Sequence, residues 1–150
     1  MPDYNKPPST YIDPREHKAQ DVQDFLRKIG LLESSGGTNL NHPEVNSGLN
    51  AGTSAVGTYG LMPLTAQDID RQSGNNQLQD MDTDEVSSKL QEDPDLNQRL
   101  SETLASKLLS KNPSETAAFK WEHGQNSKPS PDQLENSDRV RKFRVLNNGQ

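Results

Sequence analysis

Apolar residues in the first part of the chain recur with the period of an α-helix, from about Pro14 to Glu33. At ~100° per residue these positions form one stripe, and the carboxylate Glu33 falls about 20° from Val22 on that stripe. The pattern therefore predicts a helix whose last residue, Glu33, points inward. The stripe consists of Val22, Phe25, Leu26, Ile29 and Leu32.

A short polar residue followed by proline marks the start of several helical patterns. Asp, Asn or Ser supplies an N-cap oxygen, and proline fits the first helical position, where its missing N–H costs nothing. The pairs are Asp13-Pro14, Asp93-Pro94, Asn112-Pro113 and Ser130-Pro131. The signal is typical of an all-helical chain.

Periodic apolar positions place the other helices. We predict them at Leu64–Gln72, Thr83–Glu92 and Pro94–Lys111, then after Pro113, with a last helix that carries Val140, Phe143 and Leu146. A long glycine-rich loop, 36–58, separates the first helix from the second, and loops of this length in a compact domain are usually functional. No strand is predicted. The sequence therefore indicates an all-α fold of about five to six helices.

Composition limits the size of the hydrophobic core. The chain has 150 residues, of which 28% are hydrophobic, and its mean hydropathy is -1.02. We expect one domain over residues 13–146, with flexible ends at 1–12 and 147–150, because those ends are polar.

Charge and cysteine content exclude several function classes. The net charge is -6 and the isoelectric point is near 5.0, so no basic stripe is expected to bind nucleic acid. Cysteine is absent, which removes disulfides and thiolate chemistry. No signal peptide opens the chain, and no apolar run approaches the ~18 residues of a membrane span. We expect neither nucleic-acid nor membrane partners.

Glu33 is the strongest catalytic candidate. The segment Ser34-Ser35-Gly36-Gly37 follows at once and predicts a sharp helix exit. Burial and the negative end of the helix dipole both favour the neutral form of a carboxyl at that position. A carboxyl that keeps its proton near neutral pH is what a general acid requires.

Three sequence blocks follow one another in a recognisable order. They are Ile29–Gly37, with its Glu-Ser pair, Gly57–Met62, with Gly-Leu-Met, and Ala117–Trp121. Together they resemble the soluble lytic transglycosylases of the lysozyme-like superfamily. The resemblance implies a lysozyme-like, all-α catalytic domain. It departs from the family at Met62, where the following Gln is missing, and at Phe119 and Lys120, which replace Tyr and Asn.

The resemblance implies cleavage of the β-1,4 bond between MurNAc and GlcNAc in peptidoglycan. In the family, one glutamate acts first as acid and then as base while the C6 hydroxyl of the muramic acid attacks its own anomeric carbon. The product is a 1,6-anhydro sugar, and neither a cofactor nor a metal is needed. Glu33 is the implied acid/base. The implied substrate-binding residues are Ser35, Tyr59, Gly60, Leu61, Met62, Phe119 and Trp121.

Some of these residues have simpler interpretations. Ser35 is equally typical of a helix C-cap. Leu61 and Phe119 are more typical of a core, and Trp121 suits a core or a sugar platform.

Two other functions stay open at this point. A hydrolase similar to goose-type lysozyme would need a second carboxylate, for which Glu44, Asp68 and Asp70 are candidates, although a solvated surface charge is the commoner role for each. The second open function is a non-catalytic role, either structural or glycan-binding, because the Gln, Tyr and Asn of the family blocks are missing or replaced in this chain. A cell-wall-degrading domain without an export signal indicates a bacteriophage virion component that acts on the wall, with other virion proteins as partners.

Two possible metal sites fail on spacing. The segment Asp80–Asp84 begins like a calcium loop, but Glu85 occupies the position that needs glycine, so we predict a helix N-terminus instead. The three histidines, His17, His42 and His123, lack the spacing of zinc ligands. His42, in the glycine-rich loop, is a candidate for lining the sugar groove.

Overall fold

The computed structural model describes residues 14–37, 42 and 54–148. These residues form seven α-helices and, apart from isolated bridges, no strand, which confirms the all-α prediction for this part of the chain. The helices are α1 (Pro14–Ser34), α2 (Pro63–Gln72), α3 (Thr83–Glu92), α4 (Pro94–Lys111), α5 (Ser114–His123), α6 (Pro131–Glu135) and α7 (Asp138–Asn148).

The predicted last helix is two helices, so the expected count of five to six was wrong for the described residues. The side chain of Ser130 caps α6, and Asn136 ends that helix with φ −92° and ψ 0°. The Ser137 hydroxyl then accepts a hydrogen bond from the Val140 amide at 3.2 Å at the start of α7. Short polar side chains that bond to nearby backbone compete with helix continuation, which explains the break.

Two predicted regions lie largely outside the description. The tail 1–12 and most of the long loop, 38–41 and 43–53, are not among the described residues. Of the predicted C-terminal end, Asn147 and Asn148 belong to α7, and only 149–150 are undescribed.

The core forms where α1 meets the leucine repeat of α4. The apolar stripe of α1 is buried at Val22, Phe25, Leu26 and Ile29, and so is that of α4 at Leu96, Leu100, Leu104 and Leu108. The Phe25 ring joins this core to the C-terminal helices, since its centroid lies 5.9 Å from that of Trp121 and 5.5 Å from that of Phe143. The packing fixes the C-terminal end of α1 beside α5 and α7.

The calcium-like segment is a helix start, as predicted. Asp82 accepts a hydrogen bond from the Glu85 amide at 2.8 Å, and the Glu85 side chain accepts one from the Asp82 amide at 3.1 Å. This reciprocal pair is a capping box.

A buried lysine links α1 to α7. The Lys28 ammonium donates to Asp24 at 2.7 Å and to Asn147, and it lies 5.8 Å from the centroid of the Phe143 ring. The hydrogen bond from Lys28 lowers the pKa of Asp24 below its ordinary value of 3.8. The carboxylate of Asp24 is half exposed, so water weakens this interaction.

The Asp24 pair predicts a specific acid sensitivity. A carboxyl whose pKa is lowered by folding stabilises the fold above pH 3.8, and this contribution is lost as pH falls through the lower folded value. We expect Asp24→Asn to flatten the dependence of the free energy of unfolding on pH in that acid range. At pH 7 the substitution should lower the free energy of unfolding by less than about 1 kcal/mol. Urea unfolding at a series of pH values measures both effects. Lys28→Met should flatten the same range, and an unchanged slope in both variants would contradict the assignment.

Candidate functional site

Glu33 lies one residue before the end of α1, and a serine fixes the chain just beyond it. The Ser34 hydroxyl donates to the carbonyl oxygens of Thr58 at 2.6 Å and Gly30 at 3.2 Å. It also accepts a hydrogen bond from the Gly37 amide at 2.9 Å. The exit of α1 is therefore attached to the second sequence block through Thr58.

The second block forms a tight turn. The backbones of Val56 and Leu61 exchange hydrogen bonds of 2.8 and 3.1 Å across it. Gly57 and Gly60 both have positive φ, +81° and +64° respectively. Glycine adopts such backbone geometry without the steric cost that a Cβ imposes.

Gly60 also allows the turn to approach the Glu33 carboxyl. A Cβ atom built on Gly60 would lie 2.9 Å from the Cδ of Glu33 and closer still to Oε2. No side chain other than hydrogen fits there unless the carboxyl moves. The turn thus forms one wall against the Oε2 face of Glu33.

Arg139, near the start of α7, holds the other carboxylate oxygen. Its guanidinium donates to Oε1 of Glu33, and the exposed fractions of the two side chains are 9% and 15%. The same nitrogen lies 3.5 Å from Oε2 of Glu122 in α5. The other terminal nitrogen of Arg139 is buried and has no hydrogen-bond partner among the described residues.

The ion pair with Arg139 was not expected from the sequence. The prediction of an inward-facing Glu33 side chain is consistent with its low exposure, and the carboxylate contacts a guanidinium directly. Arg139 stands four residues before Phe143 and seven before Leu146, on the apolar side of α7. That spacing places Arg139 beside an apolar stripe but does not identify Glu33 as its partner.

The third block contacts the second through Trp121. The indole nitrogen donates to the carbonyl oxygen of Tyr59 at 2.7 Å, and the ring packs edge-on against Phe25. Trp121 is buried and belongs to the core cluster. Its polar atom fixes the turn that touches Glu33.

The remaining predicted binding residues lie in different surroundings. Leu61 is buried in the core, and Met62 is half-buried just before α2. Phe119 is buried, with its ring centroid 4.2 Å from that of His123. Ser35 lies on the exposed turn after α1, with φ +52°. The bonds to Thr58 and Gly30 described above are made by the preceding residue, Ser34.

The candidate second carboxylates do not gather at Glu33 in the described structure. Asp68 pairs with Arg71 at 2.6 Å on the surface, and Glu44 lies outside the described residues. Asp70 is completely buried, so the surface role expected for it was wrong. Its Oδ2 accepts hydrogen bonds from the Leu78 amide at 2.9 Å and the Gln79 side chain at 3.2 Å, which anchors the connection from α2 to α3.

The two histidines with described side chains also have identifiable contacts. His42 donates from Nε2 to the carbonyl oxygen of Gly57 at 2.8 Å, which places it against the turn. His123 lies 2.9 Å from Oε1 of Glu122. No group of three potential metal ligands occurs within the described ranges.

No protein-family model, curated protein or solved structure matches this chain. Within the described ranges, no helix is both long enough and apolar enough to cross a membrane. The functional proposal therefore rests on the arrangement of the chain's own residues.

The close approach of Gly60 to Glu33 can be tested by a matched pair of substitutions. Gly60→Ala introduces a strained positive φ and a clash with the carboxyl, whereas Gly74→Ala, at φ +82° with nothing within 4 Å of the new Cβ, introduces the strain alone. We expect Gly60→Ala to lower the free energy of unfolding by at least about 1 kcal/mol more than Gly74→Ala does. Denaturant unfolding measures both, and equal losses would show that the contact is absent.

Proposed function

We propose that this protein is a lysozyme-like peptidoglycan lytic transglycosylase in which Glu33 is the acid and base. The observation that carries the proposal is that the turn of the second sequence block contacts both of the other blocks. Glu33 of the first block touches Gly60 of the second, and Trp121 of the third bonds to Tyr59 beside it. Residues so far apart in sequence have no local reason to meet.

The proposed reaction uses one carboxyl, Glu33, in both of its proton transfers. In the proposed step, Glu33 gives its proton to the oxygen of the leaving sugar as the glycosidic bond breaks. The resulting carboxylate then takes the proton of the C6 hydroxyl, whose oxygen forms the new bond to the anomeric carbon. Glu33 regains in the second step the proton that it gave in the first, so the reaction needs no second carboxylate and consumes no water.

Arg139 has a defined part in this scheme. Its cation stabilises the carboxylate that Glu33 becomes once the proton has left, and it keeps that carboxylate in place for the second proton transfer. Arg139 binds Oε1, while Oε2 lies beside Gly60. Arg139 is therefore a positioning residue on this proposal.

Activity against purified sacculi tests the proposal. We expect the wild-type protein to reduce the turbidity of a sacculus suspension. Glu33→Gln should reduce it at least about 100-fold more slowly, since general acid–base catalysis contributes this much or more to the rate. Glu92→Gln, on the exposed end of α3, is the matched control and should retain full activity.

The masses of the released fragments separate the two enzyme classes. A transglycosylase gives 1,6-anhydro ends that are lighter by one water than the products of a hydrolase. Fragments carrying that water would overturn the intramolecular mechanism. Inactivity of well-folded wild-type protein against sacculi would overturn the enzymatic proposal itself.

A second candidate is a non-catalytic, lysozyme-like component that binds or positions glycan, and the Glu33–Arg139 ion pair favours it. A carboxylate already paired with a guanidinium is a sound structural contact without any catalytic role. This candidate predicts that the protein sediments with sacculi without dissolving them. It also predicts that Glu33→Gln lowers stability without altering any turnover.

The charge at position 139 distinguishes these roles of Arg139. If the Arg139 cation positions Glu33 for proton transfer, Arg139→Gln should clear sacculi more slowly than wild type. Arg139→Lys retains the charge and should recover part of that rate. Rates of sacculus clearance by the folded variants measure it, and equal rates for wild type and Arg139→Gln would exclude the positioning role.

A further inference from the structure

Four successive backbone carbonyls in the turn beside Glu33 each accept a hydrogen bond from a side chain of another segment. The carbonyls of Gly57, Thr58 and Tyr59 are bound by His42, Ser34 and Trp121 respectively. The fourth donor is Asn97 in α4, whose side-chain nitrogen lies 3.3 Å from the carbonyl oxygen of Val56. The turn is therefore anchored from α1, α4 and α5 as well as from His42.

Asn97 is a polar residue inside the apolar stripe of α4. It follows Leu96 and precedes Leu100, and only 7% of its surface is exposed. Burial of an amide is costly unless both its nitrogen and its oxygen find hydrogen-bond partners. A leucine at this position would fill about the same space without that cost, so the contribution of Asn97 lies in the partners that it holds.

Ser101 holds the oxygen of that amide. Its hydroxyl is completely buried and donates to Oδ1 of Asn97 at 3.2 Å. The two residues stand four positions apart and so share one face of α4. With Oδ1 bound to Ser101, the amide presents its nitrogen to the carbonyl of Val56. Asn97 and Ser101 thus form a buried polar pair directed at the turn.

Gly57 brings the backbone of the turn against this pair. A Cβ atom built on Gly57 would lie 2.8 Å from the Asn97 amide nitrogen and 3.5 Å from its Cγ. Contact at this distance prevents the turn from moving closer to α4, while the hydrogen bond to Val56 keeps it from moving away. α4 therefore fixes the near end of the turn in both directions.

The far end of the same turn carries the contact with Glu33. The Gly60 amide donates to the Gly57 carbonyl at 3.2 Å, and Leu61 pairs with Val56. A Cβ atom on Gly60 would lie 2.9 Å from Cδ of Glu33. Because these hydrogen bonds tie the two ends of the turn together, a shift of the end at α4 is passed on to Gly60. The position of α4 thus reaches the carboxyl through the backbone.

We propose that Asn97 is a positioning residue for Glu33, oriented by Ser101 and acting through the turn. The inference rests on the proposed function, in which the Glu33 carboxyl must keep one position during two proton transfers. Without the Asn97 amide, the turn loses its attachment to α4, and Gly60 moves relative to the carboxyl. The remaining anchors from α1 and α5 keep the turn formed, so the substitution changes placement rather than fold.

Kinetics on soluble peptidoglycan strands tests this role. Asn97→Ala should lower kcat at least about tenfold while KM stays within about twofold, because a displacement of about 1 Å far from the chemistry costs up to about 100-fold in rate. Ser101→Ala keeps the Asn97 side chain but frees its oxygen, so its loss should be smaller. Unchanged kcat in Asn97→Ala, or a loss confined to KM, would overturn the proposal.

Asn112→Ala is the matched control. Asn112 caps the opposite end of α4, and its side-chain nitrogen donates to the carbonyl oxygen of Leu108 at 2.8 Å. It is the same residue type on the same helix and also bonds to backbone, but away from the turn. We expect Asn112→Ala to lower stability and to keep the wild-type kcat. An equal loss of kcat in both variants would reveal a general effect of stability and would overturn the positioning role.

Amide hydrogen exchange tests the same role without turnover. In Asn97→Ala the amides of Val56 and Leu61, which pair across the turn, should exchange at least about tenfold faster relative to the Leu26 amide in the core. The ¹³C shift of the Glu33 carboxyl should move as well. Exchange that accelerates equally at all three amides, with an unmoved carboxyl signal, would contradict the attachment to α4. Ser101→Ala gives the same comparison if Asn97→Ala does not fold.

The outcomes separate this inference from the proposed activity. Wild-type protein that leaves sacculi intact, with selective exchange at the turn in Asn97→Ala, would keep the placement of Glu33 by Asn97 and remove the enzyme. Active wild-type protein, with unchanged kcat and uniform exchange in Asn97→Ala, would keep the enzyme and remove the positioning residue.

Discussion

A half-buried carboxyl and a buried guanidinium meet where the end of α1 faces the start of α7. Taking two charges out of water is costly, and their mutual attraction repays that cost only while both are present. Removal of one partner from such a pair typically costs about 3–5 kcal/mol, because the other charge is left uncompensated. The Glu33–Arg139 contact therefore fixes the relative position of two helices that are separated by most of the chain. It also orients the carboxyl against Gly60.

The same contact imposes a geometric condition on the proposed reaction. A residue that gives a proton and later takes one back must keep its position between the two steps. The hydrogen bond from Arg139 holds Oε1 of Glu33, and Gly60 borders Oε2. The position of the carboxyl is therefore set by two segments that are far apart in sequence.

The helices could be predicted from the sequence because their signals are local. The bounds Thr83–Glu92 and Pro94–Lys111 agree with the structure, since capping residues and apolar periodicity specify both ends. The inward placement of Glu33 follows from the same periodicity. Arg139 and Asp70 could not be located in this way, because a polar residue beside an apolar stripe is equally compatible with solvent. Only tertiary packing determines that Arg139 meets Glu33 and that Asp70 meets the loop before α3.

A double-mutant cycle on Glu33 and Arg139 tests the central contact most directly. The free energy of unfolding is measured for wild type, Glu33→Gln, Arg139→Gln and the double variant. A half-buried pair in direct contact predicts a coupling energy of at least about 1 kcal/mol, with the double variant less destabilised than the sum of the single ones. Additive effects, with no coupling, would contradict the contact and with it the placement of the candidate catalytic carboxyl.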